Sequence, residues 1–266
     1  MRLTVDHTST YTYETGVSYA LQQVRKRPVS LPSQSILSWD LSIDGARLET
    51  SYTDHHGNLV DLVQVDPDAS SVTVSVKGEV ETHDMSGMMG GHRQLVPLWL
   101  YKRPTGLTAP AKGLRALAGK FGSNTAQDVG VLHEVMAEIA THVAYQTNET
   151  DSETTAEEAL QKGQGVCQDH AHIFISVARL LGFPTRYVSG YLMMTDRIDQ
   201  DAGHAWAEAW VDGLGWTGFD VSNGICPDAR YIQVATGLDY RDAAPIRGMV
   251  YGAGAENLVV SIQVQQ

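Results

Sequence analysis

The chain has 266 residues, 42% hydrophobic and 19% charged, enough to bury a sizeable core in one large or two modest domains. A formal charge of -12 excludes an extended nucleic-acid footprint or an anionic-membrane surface, since both need clustered cations; the run Arg25-Lys26-Arg27 is too short to change that. Two cysteines, Cys167 and Cys226, exclude a disulfide framework; with no apolar leader and no run of about 18 apolar residues, the expectation is a soluble, cytoplasmic protein with Cys226 as a loop or packing thiol.

Residues 1–83 alternate apolar and polar positions in short runs, as in Leu3-Val5, Tyr11-Tyr13, Leu59 to Val65 and Val72 to Val80. Pro28 and Pro32, His56-Gly57-Asn58 and Asp66-Pro67-Asp68 punctuate them. The prediction is an antiparallel β-sandwich that frames a site without supplying a clustered nucleophile, base or ligand set. Met85 to Gly91, rich in Met and Gly, reads as a mobile connection. Trp99 and Tyr101 are expected to pack across a joint, which divides the chain into residues 1–100 and 101–266.

From residue 109 the period becomes helical. Leu114, Leu117 and Phe121 share one face of a helix that Gly122 ends; Val131, Val135, Ile139 and Val143 define a second, with Asn124 or Thr125 as cap and Asp128 in its first turn. Thr154 or Thr155 caps a third helix through Glu157, Glu158 and Leu160, which leads to Gly163-Gln164-Gly165. Cys167 then opens a fourth helix. Ile173, Phe174, Val177, Ala178, Leu180 and Leu181 mark its one buried face, and Gly182 and Phe183-Pro184 stop it. The unpaired N–H groups of a first turn favour an anion, and a thiolate is one.

Two β segments follow, at 186–193 and 204–211. In the second, His204, Trp206, Glu208 and Trp210 share a face opposite Ala205, Ala207, Ala209 and Val211. A three-residue loop Val211-Asp212-Gly213 would pair Trp210 with Leu214, and hence His204 with Asp220 on the returning strand. A two-residue loop would put His204 and Asp220 on opposite faces, so the odd register is the prediction.

A thiol at a helix start with a His and an Asp held side by side is the set that nucleophilic acyl transfer requires. Cys167 would attack a carbonyl as thiolate, His204 would carry the proton to the leaving amine, and Asp220 would orient the imidazole. The backbone N–H of Cys167 is the expected oxyanion donor, with Gln164 or Tyr145 as candidates for a second. Tyr187, Tyr191 and Trp206 are candidate cleft residues. No metal is expected: His170 and His172 lie two apart on a helix and cannot share a face, and neither a closed ligand set nor a calcium loop is present. Asp169 is expected to support the helix start, His172 to sit in or near the core, and Asp196, Asp199 and Asp201 to form a solvated loop over the site.

Gly165-Val166-Cys167-Gln168-Asp169, Arg186 to Tyr191, His204-Ala205-Trp206 and Gly215-Trp216 to Asp220 together resemble the bacterial transglutaminase-like superfamily. Val234 to Tyr240 and Ala244 to Gly248 are similar to its C-terminal portion, and residues 1–83 to the β domain that commonly precedes it. The resemblance implies an α+β fold with a papain-like core and a Cys-His-Asp triad, carried here by Cys167, His204 and Asp220; no cofactor is expected. The chain departs from the usual pattern at Val221-Ser222-Asn223, where a proline and a threonine commonly follow the Asp, and at Leu238, where an arginine often stands. The family includes crosslinking enzymes, peptidases, amidases and members without catalysis. The expectation is a cysteine protease or amidase acting on peptide or protein amides through a thioester, because transfer to an amine demands a dry second-substrate tunnel. The alternatives are protein-glutamine acyl transfer and a non-catalytic binding or assembly module.

Overall fold

The computed structural model of the protein describes residues 1–91, 95–122, 128–252 and 254–266. The alternation in the N-terminal third becomes strands: β1 (Arg2–Tyr13), β2 (Tyr19–Arg27), β3 (Gln34–Asp44), β4 (Ala46–Thr53), β5 (Leu59–Val65) and β6 (Ser71–Thr82). β1 shows the cause, burying Leu3, Val5, His7 and Ser9 while Thr4, Asp6 and Thr8 between them stay partly exposed. Val63, Val65, Val72 and Val74 meet Val17, Ala20 and Val24 between the two layers. The His56-Gly57-Asn58 turn forms as expected; Gly57 takes φ +86° and the Asp54 carboxylate accepts from the N–H groups of His56 and Asn58.

The methionine-rich stretch is not the loop expected. Met88–Gly90 forms a short strand, β7, and Met89 is buried beside Trp216. Tyr101 spans the joint, its ring 5.1 Å from that of Trp216 and its hydroxyl 3.1 Å from His56 Nδ1, whereas Trp99 is 61% exposed.

The helical run gives α1 (Lys112–Ala118), α2 (Val129–His142), a short strand β8 (Ala144–Tyr145), α3 (Ala156–Lys162), β9 (Gln164–Gly165) and α4 (Cys167–Leu180). Thr155 caps α3 in a capping box with Glu158. Asn124 and Thr125 lie outside the described residues; Asp128 itself is the cap of α2, accepting from Gly130 N–H at 2.9 Å. Helix α4 buries more than the one face predicted. Every residue from Asp169 to Arg179 is buried, because α1, α2 and α3 cover the sides that the sheet leaves open.

After α4 come β10 (Thr185–Leu192), β11 (Asp199–Gln200), β12 (His204–Val211), β13 (Gly215–Phe219), β14 (Tyr231–Gly237), a helical turn α5 (Tyr240–Ala243), β15 (Ile246–Tyr251) and β16 (Glu256–Gln265). One sheet has the order β14-β10-β12-β13-β7, and the alanine face of β12 lets α4 lie close against it. The sandwich layers are β11-β16-β1-β6-β3 and β15-β2-β5-β4, and β8 and β9 form a small parallel pair. A cut between residues 100 and 101 therefore misplaces the C-terminal strands. β16 pairs with β1 and β15 with β2, so the chain leaves the sandwich, builds the helix-and-sheet core, and returns to complete both sandwich layers. Pairing this distant in sequence has no local signature. Among the described residues no helix is long and apolar enough to cross a membrane.

Candidate active site

The β12–β13 hairpin pairs Trp210 with Trp216 and Val211 with Gly215, leaving Asp212-Gly213-Leu214 as the connection. The pairing of Trp210 with Leu214 is therefore off by two residues. The turn closes later than expected, through Leu214 N–H donating to Val211 O at 3.1 Å, and Gly213 and Gly215 take φ of +86° and +84°. A shift of two keeps every side chain on its predicted face. Continued past Phe219, the ladder sets Asp220 opposite Trp206 and diagonal to His204, near enough for His204 Nε2–H to donate to Asp220 Oδ2 at 2.6 Å.

Asp220 is fully buried and held by more than the imidazole. Tyr231 Oη and Asn223 Nδ2 each donate to Oδ2 at 2.7 Å, and Asn223 N–H donates to Oδ1 at 3.3 Å. Burial works to raise the carboxyl pKa, but the hydrogen bond and charge of His204, then Asn223 and Tyr231, hold it below the usual carboxylate range. Burial likewise works against a charge on His204. The hydrogen bonds to Asp220 and to Cys167, with their charges, outweigh it and push the imidazole up to about 10. Nε2 is committed to Asp220, which leaves Nδ1 for the thiol.

Cys167 is half-buried at the first position of α4. Asp169 stabilises that turn from inside: its Oδ2 accepts from Val166 N–H at 2.7 Å and from Thr150 Oγ1 at 2.6 Å. Gly165 makes room for it, since a Cβ there would lie 2.6 Å from Asp169 Oδ2. His170 Nε2–H donates to Val143 O at 3.0 Å, and its Nδ1 lies 2.8 Å from Ser222 Oγ, tying α4 to the segment after Asp220. His172 is fully buried, driven down to about 3 by that burial first of all, and its Nε2 accepts from Tyr240 N–H at 3.1 Å. Among the described residues no group of three or more His, Cys, Asp or Glu is arranged to hold a metal.

A cavity of about 240 Å³ touches both Cys167 and His204. Tyr187 and Tyr191 line it, as does Tyr240, whose ring meets Tyr187 edge-on at 6.1 Å. Trp206 does not. It lies behind His204 with ring centroids 6.2 Å apart, and Tyr231 meets it edge-on at 5.4 Å, so it supports the imidazole from the side away from the cavity. Tyr145 and Gln164 are on the short parallel strands β8 and β9, just ahead of the thiol, and neither lines the cavity. Tyr145 is 55% exposed. Its hydroxyl is pushed up by partial burial and then by the nearby Cys167. Asp196, Asp199 and Asp201 are exposed as expected, but Asp199–Gln200 pairs with β16, and the loop brings Ala202 and Gly203 to the cavity wall. Cys226 is a separate half-buried thiol, pushed up by burial.

Residues 115–221 match the model of the transglutaminase-like superfamily, and residues 3–81 that of the bacterial transglutaminase-like N-terminal region. The chain thus has a transglutaminase-like core preceded by a bacterial transglutaminase-like N-terminal region. Uncharacterized proteins of Mycobacterium leprae and Mycobacterium tuberculosis are 27% and 29% identical to it, over 99% of this chain and 98% and 91% of theirs. The crystal structure of "a Putative Cysteine Protease from Cytophaga hutchinsonii" matches with a TM-score of 0.78 over 100% of this chain and 90% of that one, at 22% identity, and so shares the fold.

Two partners of the transglutaminase-like centre escape sequence reasoning. Asn223 stands where the chain departs from the family pattern, and its side chain takes up the Asp220 carboxylate there. Tyr231 reaches Asp220 from β14, two strands away from β12 in the sheet, and only the strand order could have revealed it.

Proposed function

We propose that the protein is a thiol hydrolase that cleaves amide bonds in peptides or proteins through Cys167, His204 and Asp220. The observation that carries this reading is the buried 2.6 Å His204–Asp220 pair, whose imidazole lines the same cavity as a cysteine at a helix start. An imidazole kept protonated beside a thiol is the counter-ion a thiolate needs. The thiolate adds to the carbonyl carbon, and the Cys167 N–H stabilises the oxyanion. His204 gives its proton to the leaving nitrogen as the C–N bond breaks, leaving a thioester. Neutral His204 then takes a proton from water, the hydroxide adds to the thioester, and collapse releases the carboxylic acid and the thiolate. Asp220 keeps Nδ1 directed at the sulfur and stabilises each imidazolium, and Trp206, Asn223 and Tyr231 hold that pair. Water needs no second binding site, which favours hydrolysis over transfer.

The test is a fluorogenic peptide-amide library assayed with wild type and Cys167→Ala, with intact-mass detection of the acyl-enzyme. Turnover and a trapped adduct are expected in wild type only. Equal turnover in Cys167→Ala, or alkylation of Cys167 no faster than that of a free thiol and indifferent to His204→Ala, overturns the reading. Diversion of the acyl group to an added amine would mark transfer instead.

A further inference from the structure

The cavity at Cys167 has a second polar wall that amide hydrolysis does not use. It comes from the sandwich: His7 on β1, and Arg25 and Lys26 on β2. Three consecutive cations on a strand must turn at least one inward, because successive side chains point to opposite faces. A bulge decides which. Val24 pairs with Asp61 but Arg27 with Leu59, so β2 carries one extra residue here, a device that re-aims side chains.

Arg25 and Arg27 are matched by carboxylates, Asp54 at 3.3 Å and Asp61 at 2.6 Å. Lys26 is 2% exposed and has only neutral partners: its Nζ donates to His7 Nε2 at 2.7 Å and to Ser9 Oγ at 2.9 Å. Burial, and then the Lys26 charge, push the His7 imidazole down to about 3, so it contributes no counter-charge. No ion pair among the described residues includes Lys26, and burial alone draws its ammonium down to about 7. Beside it Arg25 Nη1 is buried with no hydrogen-bond partner. The same cluster reaches the cavity's aromatic lining, since His7 Nδ1–H donates to Tyr191 Oη at 2.8 Å. An unpaired buried ammonium is costly to keep charged, and an anion arriving from outside would remove that cost.

We propose that the space between Cys167 and Lys26 is a subsite for a free carboxylate of the substrate, with the Lys26 ammonium as its counter-ion. Cys167 and Lys26 line one cavity of only about 240 Å³, so a carboxylate held there lies close to the bond that the thiolate attacks. The preferred substrate is thus an amide carrying a carboxylate close to the scissile bond, from a chain end or from an acidic side chain. This specificity rests on Cys167 being the nucleophile.

The test is alkylation of Cys167, read by intact mass, with N-bromoacetyl-glycine, N-bromoacetyl-β-alanine and N-bromoacetyl-4-aminobutyrate, each against its terminal carboxamide. In wild type at least one carboxylate reagent should label at least tenfold faster than its carboxamide. That ratio should fall to near one in Lys26→Met and recover in part in Lys26→Arg. Equal labelling by acid and amide at every length in wild type overturns the proposal, as does a preference that survives Lys26→Met. The wild-type arm decides even where the variant fails to fold. Protection by Ala-Ala but not by N-acetyl-glutamine amide points to a chain-end carboxylate; protection by N-acetyl-glutamate amide points to a side-chain one; protection by neither overturns the subsite. Failure of the thiol-enzyme reading is separate, because it shows as slow alkylation by neutral iodoacetamide.

Discussion

Two buried polar clusters face one cavity and are built on opposite principles. Around Asp220, His204, Tyr231 and Asn223 satisfy the carboxylate, and opposite charges sit together. Around Lys26 the partners are neutral and a cation is left without an anion. Compensation fixes the geometry of the first cluster, as reaction requires; the want of it in the second makes a place for something not in the chain. A polar group buried at a cost beside a nucleophile is thus a pointer to specificity, while one buried at no cost is a pointer to positioning.

Cys167→Ala should lower amide hydrolysis by about 10⁶-fold, measured as kcat. Asp220→Asn keeps the shape and removes the compensating charge; kcat should fall by about 10⁴-fold. In the same variant, alkylation of Cys167 by iodoacetamide should climb with pH as for an ordinary thiol. A flat pH profile there would mean that Asp220 does not hold the imidazolium. Tyr231→Phe removes one of several donors to the carboxylate, so a loss of about tenfold in kcat with little change in KM is expected.

Stability supplies the converse. His204 is raised to about 10 in the folded state, so its contribution is whole below its ordinary value near 6.5 and is lost as pH rises through 10. The difference in Tm between wild type and His204→Ala should shrink over that range. Lys26 is lowered to about 7, so the unfolded chain holds the extra proton between there and about 10.5, and folding becomes more favourable as pH rises. Lys26→Met should accordingly raise Tm by a few degrees near pH 6 to 7, an advantage that fades toward pH 10.

What could be read from the chain alone divides along the same line as the clusters. Cys167 at a helix start, the Thr155 cap and the shared face of His204 and Asp220 follow from spacing and turn chemistry within about twenty residues. The exact hairpin register missed by two because Gly213 and Gly215 can each take the left-handed turn conformation, and spacing does not choose between them. Trp206 shares a face with His204 as predicted, yet that face at Trp206 turns to Tyr231 rather than to the cavity. Tyr231 is only 11 residues from Asp220 but meets it through the strand order, and the bulge at Arg25-Lys26 and the pairing of β15 and β16 with the first strands likewise depend on tertiary pairing, with partners up to more than 200 residues away. The run Arg25-Lys26-Arg27 did carry a signal, since a strand cannot keep three neighbours in water. By itself it reads as a cationic cluster too short for nucleic acid, not as a site.

The return of β16 to β1 also sets an order of events during synthesis. Thr4 pairs with Gln265, so β1 is held without this neighbour until residues 261 positions downstream have been translated. The thiol-bearing helix and the strands of its sheet all precede β15 in the chain, whereas β2, which carries Lys26, gains β15 as its neighbour only after them. The nascent protein would thus own a nucleophile before it owns a finished filter for what the nucleophile meets, and its fidelity would mature as β15 joins β2.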